Sequence, residues 1–131
     1  MNILLDTHFI LWILTNEEEL TDIEQQAVLD PKNTIICSSI SLFEISLKYS
    51  IGKLRLTNFT PEDIPNALIK NGYQIKEISH KTFASYYKLP NDIHKDPFDR
   101  LLIWEAIQNK YKLLSRDGNF KKYKKYGLKL F

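Results

Sequence analysis

Apolar residues along this chain come in short continuous runs, separated by longer stretches of helical period. NILL (2–5), TIIC (34–37), YQIKEI (73–78), KLLS (112–115) and GLKLF (127–131) read as strands. Runs that are apolar without alternation bury both faces, as strands of a parallel sheet do. Helical patterns occupy roughly 8–15, 21–30, 39–51, 61–71, 80–88, 97–110 and 117–125. Strands alternating with helices predict an α/β fold: a three-layer α/β/α sandwich around a mostly parallel sheet of about five strands. In such folds ligands bind beyond the carboxyl ends of the strands, where the strand order reverses.

Composition narrows this picture a little. The 131 residues predict one domain, 1–131, long enough for a real hydrophobic core. A net charge of +2 neither demands nor forbids a nucleic-acid partner. Residues 1–14 are apolar but contain Asp6 and His8 and lack a basic start, so no secretory signal is read there. No apolar run is long enough to span a bilayer. Cys37 is the single cysteine and sits in an apolar run, which fits a buried thiol. The expectation is a cytoplasmic domain without a membrane partner. Four glycines, with neither GxGxxG nor GxxxxGK, argue against a glycine-rich phosphate loop.

The acids are more informative. Asp6 directly follows NILL, and Asp117 comes two residues after KLLS, so both belong at the carboxyl edge of the sheet. Helix capping or a turn is the ordinary meaning of each. Glu44 lies in SSISLFEISLKYSIGKL (38–54), four after Ile40 and three before Leu47, within the stripe Ile40, Phe43, Leu47, Ile51. The other side, with Leu42, Ile45 and Tyr49, is apolar too, and a buried carboxylate without a partner is costly. In HKDPFDRLL (94–102), Asp96 is suited to cap a helix with Pro97 at its first position. Asp99 follows at a position where an acid favours the helix dipole. It also shares a face with Leu102, Ile103 and Ala106, which a dipole alone does not explain.

Asp6, Glu44, Asp99 and Asp117 are thus expected to converge at one end of the sheet. Clustered carboxylates repel unless cations neutralise them. Oxygen ligands favour a hard ion such as Mg²⁺ or Mn²⁺, whereas scattered His8, His80 and His94 and the lone Cys37 disfavour zinc.

These acids, carried by LLDTHFILW (4–12), SSISLFEISLK (38–48), HKDPFDRLLIWEA (94–106) and LLSRDGNFKKY (113–123), resemble the PIN-domain ribonucleases. The subgroup is similar to the VapC-type toxins of bacterial toxin–antitoxin pairs. The resemblance spans nearly the whole chain. It implies Mg²⁺- or Mn²⁺-dependent RNA cleavage, a cognate antitoxin that blocks the site, and commonly a homodimer. By resemblance, Asp6, Glu44, Asp99 and Asp117 match the four family acids in order, and Ser115 matches the small hydroxyl residue two before the fourth. Asp96 is an extra acid that caps the helix or binds metal through water. Trp104 departs from the small residue usual in relatives.

On this reading Asp6, Asp99 and Asp117 hold the metal, while Glu44 binds a second ion or orients the attacking water. Thr7 either hydrogen-bonds a carboxylate or water at the site or caps the first helix. Arg100 and Arg116 each follow a site acid, where they hold RNA phosphates or orient the acid by a salt bridge. KKYKKYGLK (121–129) would suit an RNA backbone, but the usual meaning of such a run is a solvated helix face. Phe9, Trp12, Phe43 and Tyr49 are expected in the core or at a dimer surface, with the core as default. Competing readings are a phosphorelay receiver domain, which lacks its strand-ending aspartate in TIICSS, a non-catalytic PIN-like module that binds RNA or a partner, and a solitary PIN nuclease in RNA maturation.

Overall fold

A computed structural model of the chain describes residues 1–93 and 96–131, so His94 and Lys95 of the HKDPFDRLL motif lie outside the described residues. Five strands, β1 (Asn2–Leu5), β2 (Thr34–Ser38), β3 (Gln74–Lys76), β4 (Lys112–Leu114) and β5 (Lys129–Leu130), form one sheet in the order β3-β2-β1-β4-β5. All four pairings are parallel. The chain steps outward from β1 to β3, then crosses back to β4 on the other side of β1. The strand order therefore reverses between β1 and β4, which is where such sheets open a crevice.

Alternation along each strand fills both faces. Ile3, Leu5, Ile35, Cys37 and Leu114 belong to one buried cluster, with residues of α1 (Thr7–Thr15), α2 (Asp22–Leu29) and α4 (Ile64–Lys70). Leu4, Ile36 and Leu113 belong to another, with α6 (Pro97–Asn109) and the 3-10 helix Phe120–Tyr126. The three layers expected from the sequence are present. α3 (Ser39–Ser50) contributes to both clusters, Ile45 to the first and Ile40 to the second. α5 is His80–Ser85.

Local chemistry sets the boundaries. Thr21 and Glu24 close a capping box on α2. Asp96 caps α6, accepting from the N–H groups of Phe98 (2.8 Å) and Asp99 (3.3 Å), with Pro97 at the first helical position. The helix expected over 117–125 is instead a 3-10 helix starting at Phe120. Asp117 folds its own carboxylate back onto the N–H of Asn119 (2.9 Å), making a turn that a helix starting at 117 would not contain. Gly127, at φ +101°, ends that helix and releases the chain into β5.

Several expected core positions lie elsewhere. Phe43 is 56% exposed, and Leu47, Tyr49 and Ile51 are exposed as well. The buried face of α3 is Ser41, Glu44 and Ile45, so the stripe through Phe43, Leu47 and Ile51 faces outward. Phe9 is core, as expected. Trp104 packs α6 toward α5, its indole N–H donating to Ser85 Oγ at 3.1 Å. The Cys37 thiol is buried, and burial pushes it up to about 12, so it is inert. Among the described residues, no helix is long and apolar enough to cross a membrane.

Candidate active site

The ladder register delivers Asp6 to the crevice. Leu5 pairs with Leu114, and the Asp6 N–H extends the ladder one step by donating to Leu114 O at 3.0 Å. Asp6 therefore emerges beside Ser115. Its carboxylate is buried, and the fold uses both of its oxygens while leaving Oδ2 a further lone pair. Oδ1 accepts from the N–H groups of His8 (2.9 Å) and Phe9 (3.3 Å), capping α1, and Oδ2 accepts from Ser115 Oγ (2.7 Å). Burial pushes its pKa up, against the opposing pull of Ser115, His8 and the cap N–H groups. The same Ser115 Oγ accepts from the N–H of Asp117 at 3.1 Å. One hydroxyl thus couples the first and fourth acids.

Asp6, Asp99 and Asp117 line one pocket of about 330 Å³, together with His8, Trp12, Arg116 and Phe120. Asp99 reaches it from the first turn of α6. His8 is largely exposed, its Nδ1 3.9 Å from Asp6 Oδ1 and its ring 5.9 Å from that of Trp12.

Glu44 is buried at 4% exposure, and it lines an adjoining cleft of about 200 Å³ with Thr7, His8, Leu11, Ile45 and Lys48. Thr7 Oγ1 lies 2.7 Å from Glu44 Oε1 and 2.9 Å from Ser41 Oγ. With one proton, that hydroxyl donates to the carboxylate and accepts from Ser41. Lys48 Nζ sits 2.6 Å from Glu44 Oε2. The hydrogen bond to Glu44 raises the Lys48 pKa, and the charges of Asp96 and Asp99 add to it. Of the two roles expected for Thr7, it bonds the carboxylate, and Asp6 is the cap.

The two arginines part ways. Arg100 is 3% exposed, which removes it from any RNA surface and corrects that one of the two roles expected for it. Its guanidinium donates to Tyr86 Oη (2.9 Å), Pro90 O (2.8 Å) and Leu89 O (3.0 Å), tying the segment before α6 to the core. Arg116 is on the pocket wall, stacked 4.5 Å over Trp12 and paired with Glu24 Oε1 at 2.5 Å; it also donates to Glu19 O. Its partner is thus on α2, where the sequence had pointed to a neighbouring site acid. In the lysine-tyrosine tail Tyr123 is fully buried while Lys121, Lys122, Lys124 and Lys125 face solvent.

Glu105 escaped the sequence reading. It is 1% exposed on α6, with Ser38 as hydrogen-bond partner, and burial pushes its pKa up to about 7. Its Oε1 has no hydrogen-bond partner among the described residues. The signal was a carboxylate in the middle of LLIWEA.

The PIN domain model matches residues 3–126. The chain belongs to the PIN domain family. No curated protein matches it in sequence. Solved structures are similar to this PIN domain over its whole length. One is a chain of VapBC2 from Rickettsia felis bound to a DNA fragment from their promoter (22% identity, TM-score 0.67, covering 100% of this chain and 98% of that one). Another is from VapBC-1 of nontypeable Haemophilus influenzae (17%, 0.68, 100% and 97%). A third is from DNA-bound VapBC of Salmonella typhimurium (15%, 0.67, 100% and 97%). At these identities the likeness is one of fold. A receiver domain is excluded by the family and by β2, which ends in Ser38 where that fold needs an aspartate.

Proposed function

We propose that this PIN domain is the toxin of a toxin–antitoxin pair, an endoribonuclease that hydrolyses RNA phosphodiesters with carboxylate-held Mg²⁺ or Mn²⁺ and an activated water. The observation that carries the reading is that Asp6, Asp99 and Asp117 line one pocket at the reversal of the strand order, with Glu44 held next to it. The VapBC neighbours support the assignment of a cognate antitoxin.

Among the described residues, no three His, Cys, Asp or Glu side chains form a closed ligand set. The donors suit Mg²⁺ nonetheless, because that ion keeps several waters and is held by one or two carboxylates plus substrate phosphate. Asp6 and Asp99 would hold it, with Asp117 at the rim and Asp96 acting as cap. When bound, the ion supplies the charge that polarises a phosphodiester and acidifies a water.

The chain's own residues do the rest. Ser115 fixes the Asp6 carboxylate and the Asp117 loop in one register. Thr7 fixes Glu44, whose free lone pairs orient a water or meet a second ion. Arg116, rigidly stacked on Trp12, presents N–H donors on the pocket wall for a substrate phosphate. Exposed apolar side chains, Ile23 and Leu29 on α2, Phe43 and Leu47 on α3 and Ile51 at its C-cap, offer surfaces for the antitoxin and for a second copy in a homodimer.

The test is cleavage of a mixed RNA pool by the purified chain with Mg²⁺, Mn²⁺ or EDTA. Asp99→Asn should abolish metal-dependent cutting while leaving circular dichroism unchanged. Binding of RNA without cutting by the unmutated chain would instead make it a non-catalytic module. Cutting by a chain whose gene has no antitoxin neighbour would point to RNA maturation.

A further inference from the structure

Glu44 has both carboxylate oxygens engaged, one by a neutral donor and one by a cation. Thr7 occupies Oε1 at 2.7 Å, and the Lys48 ammonium occupies Oε2 at 2.6 Å. The two partners differ in kind. Thr7 is buried and fixed, whereas the Lys48 side chain is 42% exposed and reaches the carboxylate from solvent. A buried carboxylate needs a counter-charge, and here the fold provides one from four residues along the same helix. His8 lines both this cleft and the pocket of Asp6, Asp99 and Asp117, so the Lys48–Glu44 pair sits beside the other acids.

That placement creates a conflict. A divalent ion held beside Glu44 and an ammonium on its Oε2 would be like charges, and they would repel. Lysine is suited to yield, since its ammonium is strongly hydrated and its stem has four rotatable carbons. The open cleft along Lys48 and Lys53 gives it somewhere to go.

Resting on the metal-dependent reading above, we infer that Lys48 is a built-in counter-ion for Glu44 which a divalent ion must displace, so that Lys48 is a positioning residue that sets metal affinity. Without metal it satisfies Glu44 and keeps the acids from repelling. With metal it swings into the cleft. An ordinary helical ion pair would do the first and have no bearing on metal binding.

The experiment is Mn²⁺ binding to the purified chain without RNA, followed by calorimetry, with wild type, Lys48→Gln, Lys48→Arg and Asp99→Asn compared. Lys48→Gln should bind Mn²⁺ on the order of tenfold more tightly, the size of an ordinary coupling between two sites. Its melting temperature should also rise more than that of wild type when Mn²⁺ is added. Lys48→Arg should restore affinity to the wild-type value or below, because a guanidinium grips Glu44 bidentately. Equal or weaker Mn²⁺ binding by folded Lys48→Gln overturns the inference. Acylation of the unmutated chain, read by mass spectrometry, needs no variant: Mn²⁺ should raise the reactivity of Lys48 relative to Lys53, and no change overturns the inference even if Lys48→Gln does not fold. If wild type and Asp99→Asn alike bind no Mn²⁺ saturably, the metal-dependent reading itself fails and takes this inference with it. Saturable binding lost only in Asp99→Asn keeps that reading and leaves the Lys48 comparison to decide.

Discussion

Glu105→Gln is the sharpest probe of the core. Glu105 is 1% exposed between the sheet and α6, held by Ser38, with Oε1 lacking a hydrogen-bond partner among the described residues. Burial moves its pKa from 4.5 to about 7. The folded chain therefore holds this proton more tightly than the unfolded chain does. Where the folded state binds more protons, stability falls as pH rises. Below pH 4.5 both states are protonated and the carboxyl costs nothing; above about 7 both are ionised and the whole cost is present. The interval of about 2.5, at ~1.36 kcal/mol per pH unit, makes that cost about 3 kcal/mol. For a domain of ordinary stability this is a large fraction of the total.

Glutamine keeps the shape and cannot ionise. Its carbonyl can accept from Ser38, but its amide then stands where Oε1 had no partner, a cost of about 1–3 kcal/mol that does not vary with pH. The informative quantity is consequently the difference between the two proteins as a function of pH. Urea unfolding followed by tryptophan fluorescence, from pH 4.5 to 8.5, supplies it. Relative to wild type, Glu105→Gln should gain about 3 kcal/mol across that range. Asp6, which is also raised, bends both curves alike and cancels. Parallel curves would refute the reasoning, because they would mean that Glu105 ionises in the fold as it does in the unfolded chain.

Two further substitutions separate structure from chemistry. Asp96→Asn keeps a good helix cap and should leave stability and cleavage close to wild type, whereas Asp96→Ala should lose about 1 kcal/mol in thermal unfolding; loss of cleavage in Asp96→Asn equal to that in Asp99→Asn would place Asp96 in the metal site. Arg100→Met should destabilise by roughly 2–4 kcal/mol, because it strands Leu89 O and Pro90 O, yet leave RNA affinity per folded molecule unchanged. Arg116→Gln should do the opposite, weakening RNA binding and reducing its salt slope by about one in titrations across ionic strength.

The layers, the strand order's consequence for the site and the positions of three acids were legible because they follow from local periodicity. A continuous apolar run such as NILL or TIIC requires two covered faces, and an acid placed directly after it must appear at the sheet edge. Glu44 was found for an imperfect reason. Its helix is apolar around most of its circumference, so periodicity could not tell the buried face, Ser41–Glu44–Ile45, from the exposed stripe through Phe43 and Leu47. The RNA-facing role offered for Arg100 failed because adjacency to Asp99 in sequence says nothing about direction on a helix. One residue is about 100° of rotation, enough to send Arg100 inward to Tyr86 and Leu89 while Asp99 lines the pocket. The partner of Arg116, Glu24, is 92 residues away and carries no local signal.

Three buried carboxylates in this fold are each held by a Ser or Thr hydroxyl: Asp6 by Ser115, Glu44 by Thr7, Glu105 by Ser38. A hydroxyl donates without neutralising, so each arrangement fixes the acid and leaves its charge to be balanced by something else. What balances it differs with location. Glu44 opens onto a cleft and carries Lys48; Asp6 opens onto the acidic pocket. Glu105 is closed in on α6 beside Ser38 at the end of β2, so for it the remaining way to remove the charge is a proton. The same local device therefore yields two outcomes. Where the acid opens onto a cleft it produces an anion poised for a cation, and where the acid is closed in it produces a carboxyl whose signature is a dependence of stability on pH.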